Sequence, residues 1–343
     1  MIARSLETRG REMADGSRHR WRGGTVAIAL LVLLVIAFGA SLARGAVTLS
    51  VAELWQAAIG QGKATHQTIL WELRLPRTVA AVLVGSALSL SGALLQGMIR
   101  NSLATPFLLG LSAGAGFVAV LMLTLGLPQS WIPLSSWLGA AASTVIVFLI
   151  AKTKSGIAID RLILGGVALN SIFFAMQTIL LLFADDGRTQ LALNWLVGSL
   201  SGRSWGDIST PAPLMVAGAI AACLLARTIN LLNTGEERAA SLGVSVGRSR
   251  LFVGVCASLL AACAVSIAGL VSFVGLIVPH GVRLLVGTDY RWVLPLSAIG
   301  GAVVLLVADT VARFGAVELP AGAVTALLGS PFFLWLLYRR SAA

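Results

Sequence analysis

Hydrophobic positions in this chain gather in long charge-free runs separated by short polar connections. A helical crossing of about 30 Å of hydrocarbon takes about 20 apolar residues at 1.5 Å each. Single crossings are predicted over 26–43, 78–99, 162–184, 208–226, 292–308 and 319–338. The uncharged run 101–151 would make about 76 Å of helix, and the prolines of LPQSWIPLSS at 127–136 put a turn in its middle, so it predicts two spans. The run 251–282 would make about 48 Å of helix, too long for one crossing and short for two. Gly269, Gly275 and Pro279 divide it into one full helix and one short, broken one. LALNWLVGSL at 191–200 is too short to cross and reads as an interfacial or re-entrant segment.

Charge decides between nine spans and ten. With ten, 18 lysines and arginines face the cytoplasm and 7 face out; with nine, the split is 15 and 10. The excess of basic residues belongs inside, so ten crossings are expected, with both termini cytoplasmic. The chain therefore reads as a multi-pass protein of the inner (cytoplasmic) membrane and an all-α fold. Residues 1–24 are a basic cytoplasmic segment, and 25–343 form one transmembrane domain. Trp71, Trp131, Trp205, Trp292 and Trp335 fall near span ends, where an amphipathic ring favours the headgroup level. At 343 residues, 57% hydrophobic and 11% charged, the composition excludes a soluble core. The net charge of +11 is spread between apolar runs and signals topology, not a nucleic-acid face. Val26–Ala43 is longer than the apolar core of a signal peptide and is read as an uncleaved first span. Cys223, Cys256 and Cys263 lie in apolar runs without metal or disulfide spacing and read as packing residues.

Polar residues inside the spans are few. Gly85, Ser89, Gly92 and Gln96 share one helical face, and Gly166, Asn170, Phe173 and Gln177 share another with the same spacing. Small residues on one face let helices approach closely in lipid. An amide in hydrocarbon needs a partner, so Gln96, Asn170 and Gln177 are candidates either for helix packing or for a wet translocation path. Asp309 is the buried acid, with Arg313 one turn on, where the two can pair. His280 beside Pro279 reads as a packing residue more readily than as a proton relay. Coupling to an ion gradient is thus poorly supported.

A nucleotide-driven engine is also missing. No G-x-x-x-x-G-K-[ST] is present, and GQGKAT at 60–65 lacks both the first glycine and the terminal hydroxyl residue in register. No catalytic constellation, metal cluster or cofactor motif stands out. The longest polar cytoplasmic connection, NTGEERAASLGVSVGRSR at 233–250, carries Thr234 and Glu237 in capping-box spacing and Gly243 as a helix stop, and so predicts two short helices that offer a partner a handle.

These segments resemble the permeases of type II ABC importers for iron-siderophores, haem and cobalamin, the FecCD-like permeases. The resemblance runs in order through RLPRTVAAVLVGSALSLSGALLQGMIRNSLATPFLLGLSAGAG, LILGGVALN, NWLVGSLSGRSW, EERAASLGVSVGRSR, GLVSFVGLIVPHGVRLLVG and ADTVARFGAVELPAGAVTALLGSPFFLWLL, covering nearly everything after residue 45. One departure is Ser102, where the family usually has proline. The resemblance implies ten helices in inverted halves, a second permease subunit forming a homodimer around a central path, and two cytoplasmic ATPase subunits. It also implies a periplasmic substrate-binding protein. ATPase coupling then falls to Glu236, Glu237, Arg238, Ser241, Leu242 and Gly243. The cytoplasmic gate falls at Ile159 and Asp160, and binding-protein docking at Arg74, Arg77 and Arg313. An iron-siderophore ranks above haem and cobalamin as cargo. The rival reading is a self-sufficient secondary transporter or channel for a small solute.

Overall fold

The computed structural model describes residues 2–341 apart from 46, 48, 154, 155 and 316, with residues 2–22, 109, 336, 337 and 339–341 described by their backbone alone. In chain order the helices are α1 (Ile2–Ala43), α2 (Val51–Ala58), α3 (Ala64–Thr68), α4 (Leu75–Ile99), α5 (Leu111–Thr124) and α6 (Ile132–Ala151). A two-residue hairpin, β1 (Lys152–Thr153) and β2 (Gly156–Ile157), leads into α7 (Ile159–Leu182) and α8 (Asp186–Val197). There follow α9 (Trp205–Ser209), α10 (Pro211–Leu224), α11 (Ala226–Asn233), α12 (Glu236–Ser241), α13 (Val246–Ala268), α14 (Val274–Val286), α15 (Tyr290–Ala312) and α16 (Ala321–Ser341). Among the described residues, seven helical stretches are long and apolar enough to cross a membrane, and three shorter apolar ones correspond to α5, α14 and α16. These ten match the runs read from the sequence, including the two helices in 101–151 and the long and short pair in 251–282.

Three boundaries differ from the sequence expectation. The basic N-terminal segment continues helically into the first span, because no proline interrupts it and Gly23 and Gly24 do not break the helix. A π-helical turn over Ile69–Arg74 joins α3 to α4, so the second apolar helix runs unbroken from Ala64 to Ile99. The expected capping box at Thr234 does not form. Gly235, at φ +112°, separates α11 from α12, and the Thr234 hydroxyl instead donates to Leu231 O at the end of α11 (2.7 Å). Capping boxes occur at Ser50/Glu53 and Ser204/Asp207.

Helix α4 is the axis of the fold, buried along nearly its whole length and packed on α13, α14 and α15. Glycine makes that possible. A Cβ at Gly85 would sit 2.2 Å from Gly301 O of α15, and one at Gly92 only 1.8 Å from Gly275 O of α14. Leu90, Leu94, Leu95, Leu260 and Leu294 fill the space around these contacts. Helix α13 ends at Gly269 (φ +69°), and the break before α14 packs on the end of α8. Ser199 N donates to Ala268 O (2.8 Å) and Gly322 N to Gly198 O (3.0 Å), so α8, α13 and α16 meet at one point.

Candidate functional site

The antiparallel packing of α4 on α15 gathers an ionic cluster at one end of the bundle. Asp309, fully buried, accepts from Arg77 Nε (3.1 Å to each oxygen) and Nη2 (2.7 Å), and pairs with Arg313 one turn along α15. Arg77 Nη2 also reaches Glu318 (2.5 Å). Arg313 donates to Ser41 O (3.2 Å) and Ser41 Oγ (3.3 Å), and Ser41 Oγ meets Thr78 Oγ1 (2.9 Å), tying α1 into the cluster. Arg74 is buried and donates to the carbonyls of Leu42, Ala43 and Val47 (2.6 and 3.1 Å for the first two), closing the chain that leaves α1. Arg74, Arg77 and Arg313 therefore stand together, as their sequence positions suggest, but each is engaged inside the protein. Two guanidinium groups converging on one carboxylate make that engagement strong. The expected Asp309–Arg313 pair is present; Arg77 and Glu318 are the partners that local spacing could not reveal.

The two amide stripes take different places. Gln96 is buried between α4 and α14. Its Nε2 donates to Leu276 O (3.2 Å) and Gly275 O (3.4 Å), and its Oε1 accepts from Arg283 Nη2 (2.6 Å). Asn170 Nδ2 donates to Phe107 O (3.0 Å) and Gln177 Nε2 to Ala113 O (3.0 Å), joining α7 to the entry and first turn of α5. Asn170 and Gln177 also border one cleft of about 490 Å³ with Ser112, Ser171 and Ser272. The structure brings these two together and puts Gln96 elsewhere. Much of α7 beyond this cleft is an uncovered apolar surface, with Leu164, Ile172 and Leu182 exposed.

At the opposite end lies the polar connection 233–250. Helix α12 is stopped by Gly243 (φ +83°): Gly243 N donates to Ala240 O (2.9 Å) and Val244 N to Ala239 O (3.0 Å), the paired closure of a left-handed helix terminus. Glu236, Glu237, Arg238, Ser241, Leu242 and Gly243 are all exposed; Leu242 retains 64% of its surface. Ala239 alone on this short helix is buried. Glu236 is held by Arg250 Nη2 (2.5 Å) and Arg100 (3.5 Å). The same Arg250 donates from Nη1 to Ile157 O (3.3 Å), the residue two before Ile159. Ile159 is half-buried and Asp160 exposed in the first turn of α7, where an acid suits the helix dipole. Arg250 thus joins α12 to the entry of α7. In the sequence only its place at the end of the motif EERAASLGVSVGRSR marks it.

A broken short helix beside a long one, an exposed capped handle and a bundle of this order have counterparts among known proteins. The FecCD transport family matches residues 33–339. The chain belongs to this family. As a FecCD permease it is the membrane subunit of a type II ABC importer and not itself an ATPase. Similar relatives include the hemin transport system permease HmuU of Yersinia pestis, 38% identical over 91% of this chain and 94% of its own length. The cobalamin import system permease BtuC of Halobacterium salinarum is 39% identical over 92% and 89%. The Fe(3+)-citrate import system permease YfmD of Bacillus subtilis is 37% identical over 90% and 93%. A solved metal-chelate-type ABC transporter in an inward-facing conformation superposes with a TM-score of 0.84 at 32% identity, covering 92% of this FecCD permease and 99% of that chain.

Proposed function

We propose that this permease moves an iron chelate, an iron-siderophore or ferric citrate before haem or cobalamin, from an extracytoplasmic binding protein into the cytoplasm by ATP-driven alternating access. In this reading the ten apolar helices all cross the membrane, with the α12 end cytoplasmic and the Arg77 end outside, and two copies enclose the path along α7. The observation that carries it is Arg250. One guanidinium holds both the exposed handle that an ATPase would grip and the strand that starts α7, so a displacement of α12 is transmitted to the candidate gate at Ile159 and Asp160 without a flexible link.

A self-sufficient ion-coupled carrier fits less well. Such carriers use ionisable groups deep in their spans, whereas Asp309, the one buried acid among the described residues, is neutralised by Arg77 and Arg313. Docking of a binding protein is proposed at the Arg77 end. There Arg74, Arg77 and Arg313 set the shape beneath the surface, and Glu318, 41% exposed, is the carboxylate that an acidic side chain of the partner would replace on Arg77.

Reconstitution of the permease with an ATPase and a binding protein in proteoliposomes tests the reading. Gly243→Pro removes the φ +83° that closes α12, since proline is fixed near −65°. Cargo-stimulated ATP hydrolysis and uptake should fall together. Normal stimulation and uptake in this variant, or uptake by the permease alone, would sink the proposal.

A further inference from the structure

A cleft of about 780 Å³ opens at the Arg77 end, walled by the end of α5, the start of α6, α8, the turn 199–203 and the segment 317–320. It is separate from the cleft bordered by Asn170 and Gln177, and none of the residues picked out from the sequence for a site lines it. Its wall is rich in uncharged polar groups, including Gln190, Asn194, Ser199 and Ser201. The charged groups do not cancel. Glu318 borders the cleft, but its carboxylate is committed to Arg77. Arg188, on the neighbouring turn, is committed to Asp185 (3.0 Å) and Thr124 O (2.7 Å). Arg203 makes no such commitment: its side chain is half-buried, and its Nε, shielded from solvent, has no hydrogen-bond partner. Burial pulls its pKa below the ordinary arginine value, and Asp207 only opposes that from a distance. Asp207 Oδ2 is itself occupied by Ser204 N and Oγ, each at 2.9 Å. A second donor points the same way. Trp195, 93% buried, lines the cleft and its indole Nε1, a donor only, is likewise without a partner.

Buried donors without acceptors are rare and each calls for an explanation. Here the side chains of two of them, one carrying a full positive charge, border one polar cleft wide enough for a small chelate. We propose that this cleft is a binding site for the anionic oxygens, carboxylate or catecholate, of the cargo chelate, with Arg203 and the Trp195 N–H as donors, and that it favours acidic chelates over cargo with no free anionic oxygen. The identification of the ligand as cargo rests on the importer reading above; the preference for an oxygen anion rests on the donors alone.

The test uses the permease–ATPase complex in nanodiscs and equilibrium dialysis against two probes, radiolabelled ferric citrate as the acidic chelate and a neutral ferric trihydroxamate, whose ionised oxygens are all bound to iron, as the other. Arg203→Gln should weaken ferric citrate binding about ten- to a hundredfold, the loss of one charge-assisted hydrogen bond. Arg203→Lys, which keeps the charge, should recover part of it. Trp195→Phe, which keeps the ring and deletes the N–H, should weaken it several-fold, and rising salt should weaken the wild type. Equal ferric citrate affinity in Arg203→Gln and wild type, no binding by wild type, or the same loss for the neutral trihydroxamate would each overturn the proposal. Should dialysis show the predicted losses while proteoliposomes perform no ATP-driven uptake, the site stands and the importer reading fails. Uptake of cargo that is indifferent to Arg203 would have the opposite meaning.

Discussion

Replacing Gly92 by alanine is a sharp test of how the short helix α14 is held. The added Cβ would lie 1.8 Å from Gly275 O, where ordinary contact begins near 3.4 Å, so α4 and α14 must part by about 1.6 Å. Neither backbone can yield as a flexible side chain would. Overpacking of this kind costs about 1–3 kcal/mol. The separation also stretches the Gln96 bonds to Gly275 O and Leu276 O, already 3.4 and 3.2 Å, at about 0.5–1.5 kcal/mol each. Together the loss should be about 2–6 kcal/mol. Equilibrium unfolding of the purified permease in mixed micelles titrated with sodium dodecyl sulfate, followed by tryptophan fluorescence, reads it directly. Gly39→Ala in α1, where a Cβ meets nothing within 4 Å, is the matched control and should be neutral or slightly stabilising. Gln96→Leu should cost less in the Gly92→Ala background than alone, because the bond it deletes is already strained. A Gly92→Ala protein within about 0.5 kcal/mol of wild type would refute the contact and the reasoning built on it.

Asp309→Asn leaves Arg77 and Arg313 facing each other without their shared charge and should destabilise by about 3–5 kcal/mol in the same titration; the exposed partner Glu318→Gln should cost less than about 1 kcal/mol. Arg250→Ala should keep basal ATP hydrolysis in the assembled complex while lowering cargo-stimulated uptake about tenfold or more, and equal uptake would remove it from the coupling route. In a background lacking Cys223, Cys256 and Cys263, Asn170→Cys should react readily with a small water-soluble thiol reagent and Gln177→Cys more slowly, since Gln177 is the more buried. Both rates should change with nucleotide, and silence in every nucleotide state would leave these amides as packing groups.

Lipid is the reason the helices were legible. In hydrocarbon each backbone N–H and C=O must be satisfied within its own segment, so a charge-free run of sufficient length has no competing conformation, and counting such runs finds the same ten apolar helices seen among the described residues. Local rules also held where nothing competed with them, as with Gly243 after α12 and the Asp309–Arg313 step along α15. They failed where a neighbouring residue had a stronger claim: Gly235 in a conformation that L side chains avoid overrode the capping spacing of Thr234. Contacts between distant parts of the chain were out of reach. Arg77 meets Asp309 across 232 positions, and Arg250 meets Ile157 across 93. Nothing in the motif NWLVGSLSGRSW marks Arg203, because an unpaired donor is visible only when its surroundings are.

The two amide stripes, read from the sequence as alternatives of packing or path, turn out to share one construction. Gly92 brings α4 against the Gly275 carbonyl, and Gln96, one turn on, donates to that same oxygen. Gly166 brings α7 against the Leu108 carbonyl, where a Cβ would lie 1.8 Å away, and Asn170, again one turn on, donates to Phe107 O beside it. In lipid, apolar burial does not drive helices together, so close approach must be rewarded by contact and by hydrogen bonds across the seam. A glycine followed four residues later by an amide supplies both on one face. The carbonyls it reaches belong to irregular or helix-starting backbone, the first turn of α14 and the tight turn before α5. The unit therefore clamps a full-length helix to the places where the other chain segment is broken. In α4 the amide is buried and its oxygen is taken by Arg283 at the edge of a separate cleft with Asn230 and Tyr290. In α7 the clamp borders an open cleft, and the same amide that fastens the helix lies at the edge of that cleft. For Asn170 a packing bond and a place at the edge of the cleft coexist: Asn170→Leu should loosen α7 on α5 and alter that cleft together, whereas Gln96→Leu should loosen α14 and leave that cleft as it is.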